Sequence, residues 1–111
     1  MPEELALTSE IVARLAPLVS IGGKSGDTVV GLSAVRRVRQ LAYIFVGANV
    51  AENTWTELVR RRSKATRVLR VPNAADLTAG LGRHDASIIA IKTGPLAKGI
   101  AGRLTESTSS S

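Results

Sequence analysis

Apolar residues along the chain follow two alternating patterns, one with helical spacing and one in short continuous runs. Between residues 8 and 19 they recur every three to four positions, which predicts a first helix. Thr8 or Ser9 is placed to cap that helix, and Pro17 is expected to end or kink it. A glycine-rich stretch follows, so we expect Lys24 to lie in a turn.

Four stretches have the composition of β-strands. "LAYIFVGA" (41–48) is continuously apolar and rich in β-branched and aromatic residues, and turn residues bound it. Such a run is typical of a central strand that is buried on both faces. "TVV", "TRVLRV" and "ASIIAIK" predict three further strands.

Helical patterns separate these strands. Gly31 precedes "LSAVRRVRQ", which predicts a second, basic helix. In the third, "NTWTELVRRR", Thr54 and Glu57 have the spacing of a capping box. Asn73 is predicted to cap "AADLTAGL", and Pro95 is placed in the first turn of a last helix.

The alternation of helices and strands predicts the fold class. We expect an α/β fold in which a three-layer α/β/α sandwich surrounds a small mixed sheet. The chain has 111 residues, which indicates one domain, and we assign it to residues 1–104. The tail 105–111, "TESTSSS", has no apolar content and is expected to be disordered.

Composition narrows the cellular setting. No apolar run approaches the ~18 residues of a membrane helix, and "MPEELALTSE" is too acidic for a presequence. There is no cysteine, which excludes disulfides and thiolate metal sites. We therefore expect a cytoplasmic protein that does not contact a membrane.

The charge balance points to a class of partner. Fifteen Lys and Arg oppose nine Asp and Glu, giving a net charge of +6, and eleven of the fifteen are arginine. The planar guanidinium suits phosphates and base edges, so a small Arg-rich domain favours nucleic acid. An alternative is a lineage whose proteins are generally rich in arginine.

"SIGGKSGDTVVG" (20–31) contains Gly-Lys-Ser, the end of a nucleotide phosphate loop. The first glycine of that motif would be residue 18, which is Leu18, and the preceding segment has helical rather than strand spacing. We therefore predict that the stretch does not bind a nucleotide.

Catalytic equipment is sparse. The only histidine, His84, adjoins Asp85, and sequence neighbours do not face each other on a regular element. No serine lies in a nucleophile elbow, and one histidine with scattered carboxylates makes no metal site. We predict no enzyme activity, no cofactor and no metal.

At this point the order of motifs resembles a known family. "GGK", "VVG" before a basic helix, "YIFVGANVAENT", "RVP", "DLTAGLGR" and "SIIAIKTGPLAKGI" follow one another as in the L-seven-Ae/L-thirty-e ribosomal protein superfamily. The closer likeness is to its small bacterial members of the YlxQ type. The resemblance covers about residues 12–104.

That resemblance implies an α/β/α sandwich that binds structured RNA, typically kink-turns, with ribosomal RNA among the partners and DNA not expected. The family's RNA face combines a glycine-started helix carrying Asn-Glu-x-x-Lys with the loop before the last strand. Anchored on Gly31, those three positions fall on Ser33, Ala34 and Arg37; an ungapped count from the Gly-Lys pair places them on Val30, Gly31 and Ala34. The Glu is absent in both placements, but phosphate contacts by arginine need only charge.

We therefore predict an RNA-binding, ribosome-associated domain with a groove between the glycine-started second helix and the loop before the last strand. In this view "GGKSGDTVVG" delivers a helix N-terminus to RNA, with Lys24 at its edge. The alternative is a protein-interaction module on the same fold, which would assemble through a sheet edge or the Trp55 helix; a phosphate-binding enzyme is a third. The predicted RNA-contacting residues are Lys24, Gly31, Ser33, Arg36, Arg37, Arg83, His84 and Ser87.

Overall fold

A computed structural model of the chain describes residues 8–61, 66–82 and 86–109. Helices and strands alternate throughout, as the sequence predicts. The helices are α1 (Ser9–Ser25), α2 (Leu32–Arg37), α3 (Glu52–Arg61), α4 (Ala75–Thr78), which continues into a 3-10 turn (Ala79–Leu81), and α5 (Pro95–Ser109). The strands are β1 (Thr28–Val30), β2 (Leu41–Gly47), β3 (Arg67–Val71) and β4 (Ile88–Lys92).

The four strands form one mixed sheet in the order β1-β4-β2-β3. β2 and β3 are parallel, whereas β4 is antiparallel to both β1 and β2. β1, β2 and β3 therefore all point the same way. Their carboxyl ends meet the start of β4 at one end of the sheet, which we call the carboxyl end. Their starts meet the end of β4 at the other, the amino end.

Helices cover both faces of the sheet, each over its own apolar core. On one face α1, α4 and α5 bury Leu15, Leu77 and Ile100 against Phe45 and its neighbours. On the other face α2 and α3 bury Val35, Trp55 and Leu58 against the alternate residues of the strands. The predicted α/β fold with three layers and a mixed sheet is confirmed.

The first helix is longer than predicted. α1 runs through Pro17 to Ser25 and ends at Gly26, which has the left-handed φ of 86° and donates its N–H to the Gly22 carbonyl. Packing explains why the proline does not end it, because Leu15 and Val19 are fully buried on either side. Lys24 thus lies in the last turn of a helix, and its predicted place in a turn was wrong.

The bounds of α3 and α2 also differ from those that the sequence predicted. α3 begins at Glu52, since the N–H groups of Thr54 and Trp55 both donate to the Ala51 carbonyl; the predicted Thr54–Glu57 capping box is absent. α2 ends at Arg37, three residues early, because Val38 is already extended.

The predictions for the start of α4 and for the C-terminal tail have different outcomes. The predicted cap of α4 is confirmed, since Asn73 Oδ1 accepts the N–H of Ala75 at 3.3 Å. At the other end, α5 extends through Ser109, so residues 105–109 are helical where we expected a disordered tail.

Candidate nucleic-acid interface

The carboxyl end of the sheet brings together the two segments that the sequence pairs as a groove. The Gly31 N–H, directly after β1, donates to the Ile88 carbonyl at 2.9 Å. The Gly47 N–H, at the end of β2, donates to the Ser87 carbonyl at 2.8 Å. The turn that opens α2 and the residues that open β4 are therefore fixed side by side.

The backbone at Gly31 is free of side-chain cover and adopts a conformation that favours glycine. Its φ of 99° and ψ of 146° lie in a region that L side chains rarely adopt, so the turn from β1 into α2 favours glycine. A Cβ there would meet nothing within 4 Å, which shows that conformation and not crowding sets the preference. Ser33 follows, exposed in the first turn of α2.

Asn49 is a site residue that the sequence analysis missed. Gly47 is tightly covered, since a Cβ on it would lie 2.8 Å from Asn49 Oδ1 and 3.3 Å from the Ser87 carbonyl oxygen. The Asn49 amide therefore sits beside Ser87 at the carboxyl end, exposed to solvent. An exposed amide just past a central strand of an α/β sheet is where ligands bind in open sheets of this class, and that signal was available.

The two arginines of α2 have different environments. Arg36 forms a bidentate pair with Glu57 of α3, through Nε–Oε2 and Nη2–Oε1 distances of 2.8 Å. The hydrogen bond to Glu57 raises the pKa of Arg36 above its ordinary value, so the guanidinium stays charged. Two of its donors are committed to joining α2 to α3, which leaves Arg36 a poorer candidate for an RNA contact than its position in the sequence indicated.

Arg37 is exposed and makes no ion pair within the described part of the chain. Because α2 has six residues, Arg37 lies in its last turn, about 9 Å along the axis from Gly31. A cation there also stabilises the helix dipole, so its position alone does not require a ligand.

Lys24 is not part of this group. It precedes β1 whereas Gly31 follows β1, so the strand separates the two and Lys24 belongs to the amino end. The last turn of a helix exposes carbonyl oxygens instead of N–H groups, which is the wrong polarity for phosphate. The geometry of Gly23-Lys24-Ser25 thus supports the prediction that this stretch is no nucleotide loop.

Packing accounts for the glycine pair instead. A Cβ on Gly22 would overlap Thr28 Oγ1 of β1 and the Leu96 side chain of α5, and one on Gly23 would overlap Leu81 of the 3-10 turn. The glycines let α1 approach its neighbours closely.

Arg83 and His84 lie outside the described residues, and so does Asp85. Gly82, directly before them, has a left-handed φ of 76°, and Ser87 shortly after them is half-buried at the carboxyl end.

Three further features bear on the alternatives raised by the sequence: metal ligands, membrane spans and the exposure of Trp55. Within the ranges that the structure describes, no three His, Asp or Glu side chains converge as metal ligands. No helix in those ranges is long and apolar enough to span a membrane. Trp55, which the interaction-module alternative would use, is 6% exposed and lies under Arg70, so its ring is not open to a partner.

Comparison with known proteins supports the fold and names no function. No protein-family model matches the chain, and no curated protein matches it. A solved structure of a protein of unknown function from Bacillus halodurans aligns with a TM-score of 0.66 at 16% identity, covering 84% of this chain and 98% of that one. At that identity the likeness shows a shared fold.

Proposed function

We propose that the protein binds structured RNA at the carboxyl end of its sheet, as the L-seven-Ae/L-thirty-e proteins that its sequence resembles do. One observation carries the proposal: the hydrogen bond from Gly31 to Ile88 holds the start of α2 against the start of β4. These are the two segments that form the RNA face in that superfamily. Ribosomal RNA in the cytoplasm is the proposed setting.

The chemistry available at this end is mostly neutral. Ser33 offers a hydroxyl and Asn49 an amide, and Gly31 allows a close approach to backbone. Such groups bind phosphate and sugar oxygens and position an RNA without reading a base pair. The Arg37 guanidinium, which has no ion pair among the described residues, lies about 9 Å further along α2. Ser33 and Ala34 stand where the superfamily has Asn-Glu, so we propose recognition of RNA shape and backbone in place of the sheared G·A pairs that this pair reads.

Val30 lies within β1, and Gly31 directly precedes α2. The helix-opening glycine of the family therefore corresponds to Gly31 in this proposal, which favours Ser33, Ala34 and Arg37 over the ungapped placement.

The test compares two substitutions of nearly equal size at one position, Ser33→Glu and Ser33→Gln. RNA is first selected on the unaltered protein from a random-sequence transcript pool, and its affinity for each variant is then measured. A carboxylate beside bound phosphate should weaken binding about tenfold or more, roughly 1.4 kcal/mol, whereas the amide should have little effect. Equal affinities of the two variants would mean that RNA binds elsewhere.

A further inference from the structure

The amino end of the sheet collects cations. Lys24 and Arg60 each lie one residue before the end of a helix, α1 and α3 respectively, and Arg39 precedes β2. Arg67 begins β3 and Lys92 ends β4. None of these five side chains has a carboxylate partner in the described ranges.

The strand pairing shows that these residues are neighbours. Lys92 pairs with Leu41, two residues after Arg39, and Arg67 pairs with Tyr43 on the next strand. The Lys92 N–H donates to the Asp27 carbonyl at 2.9 Å, which brings the start of β1 to the same end. Strands in a sheet lie ~4.8 Å apart, so the adjacent ends of β4, β2 and β3 place Lys92, Arg39 and Arg67 along about 10 Å. Lys24 and Arg60 lie in the last turns of α1 and α3, on opposite faces of the sheet.

Acidic residues do not offset them. Asp27 is the one carboxylate that the described residues contribute at this end, and it accepts a hydrogen bond from Ser25 Oγ at 2.9 Å. Glu52 and Asp76, in the first turns of α3 and α4, lie at the carboxyl end instead. Among the described residues, these two carboxylates and the five cations named above thus lie at opposite ends of one sheet.

Folding does not account for this concentration. The helix dipole explains cations at Lys24 and Arg60, but Arg39, Arg67 and Lys92 lie outside helices. Arg36, which joins two helices, is paired with a carboxylate, Glu57; these cations are not. Like charges gathered without partners repel each other and lower stability.

We propose that the amino end of the sheet is a second nucleic-acid surface, which holds the phosphate backbone of an RNA duplex without reading its sequence. The composition favours nucleic acid over a membrane surface, because three of the five cations are arginine and one large apolar side chain, Ile21, is exposed among the described residues. Binding to a membrane surface needs a buried apolar face as well as charge.

This surface goes beyond the proposed function and does not rest on it, since the two lie at opposite ends of the strands. The test removes two charges from the amino end in Arg39→Ala/Arg67→Ala. A control with the same change in charge, Arg14→Ala/Arg103→Ala, removes two exposed arginines elsewhere, of which Arg14 has an interaction of its own. Arg14 precedes the end of α1 by about 16 Å, and Arg103 follows the start of α5 by about 12 Å.

The probe is a fluorescently labelled, mixed-sequence RNA duplex, titrated at about 50 and 200 mM salt. The amino-end pair should bind about tenfold or more weakly, and the slope of log K against log salt should fall by about 2. The control pair should keep the slope. Each single variant, Arg39→Ala or Arg67→Ala, should show about half of the change in slope. Thermal unfolding of the amino-end pair should match the unaltered protein, because neither arginine has a partner in the described ranges.

Three outcomes would overturn the proposal. Equal losses in the two pairs would indicate diffuse attraction by net charge. No loss in the amino-end pair would place the duplex elsewhere. Binding to vesicles of phosphatidylserine and phosphatidylcholine is measured in parallel. If the amino-end pair kept its binding to the duplex but lost binding to these vesicles, the amino end would be a membrane surface. Ser33→Glu should leave binding of the plain duplex within about threefold, so failure at one end is distinguishable from failure at the other.

Discussion

The side chain of Arg70 shows how this protein accommodates a cation within a packed layer. Its guanidinium carbon lies 4.4 Å from the centroid of the Trp55 ring, and its Nη2 lies 3.4 Å from Glu52 Oε1. The Arg70 side chain is 22% exposed, so most of it packs over the indole. A planar guanidinium in this position combines a cation–π contact with hydrophobic packing.

We predict that Arg70→Ala lowers the free energy of unfolding in urea by about 1–2 kcal/mol, from the lost cation–π contact and stem packing. Arg67→Ala is the matched control on the same strand, because Arg67 is exposed and has no partner among the described residues. It should change stability by less than about 0.5 kcal/mol. Equal effects of the two substitutions would show that the Arg70–Trp55 contact contributes nothing.

Residues whose role depends on neighbours in the sequence were predictable. Asn73 caps α4 because its side chain reaches a backbone N–H two residues ahead. Arg36 was not predictable, since its partner Glu57 lies 21 residues away and meets it only after α2 and α3 pack. Asn49 was missed although its place just past a central strand was a signal in the sequence. Only its position beside Ser87 depends on strand order, which the sequence does not reveal.

At the scale of elements, α1 shows packing overriding local preference. Glycines and Pro17 favour a helix that ends early, yet α1 continues to Ser25 because its buried stripe lies on the sheet. Strands were predicted more reliably, since a run such as "LAYIFVGA" is buried on both faces and leaves few alternatives. The shortness of α2 had no local signal, because "VRQ" is compatible with a helix.

Two glycine-to-alanine substitutions, one in α1 and a comparison in α5, should change the free energy of unfolding in opposite directions. Gly22→Ala should destabilise the protein by about 1–3 kcal/mol, because the methyl would overlap Thr28 and Leu96. Gly102→Ala, in α5, has open space within 4 Å of its Cβ and should stabilise by about 0.5–1 kcal/mol. Both are read from urea unfolding. A stabilising Gly22→Ala would mean that α1 does not approach β1 closely and that the glycines serve another purpose.

At the scale of the whole molecule, the two ends of the sheet differ in chemistry. The carboxyl end presents neutral polar groups on a fixed backbone, with Gly31 and Ser87 held by hydrogen bonds. The amino end presents cations that have no carboxylate partner among the described residues. An RNA-binding protein benefits from both, because charge raises the rate of encounter and positioned hydrogen-bonding groups select a structure. The α/β/α sandwich keeps the two surfaces a strand's length apart.

Nuclear magnetic resonance can locate the RNA on the protein and so distinguish the carboxyl end of the sheet from every other surface. The isotope-labelled protein is titrated with RNA selected on it, and amide shifts are followed residue by residue. The account predicts the largest changes at Gly31, Ser33, Gly47, Asn49 and Ser87. Saturation of the protein with RNA while these five amides keep their shifts would contradict it.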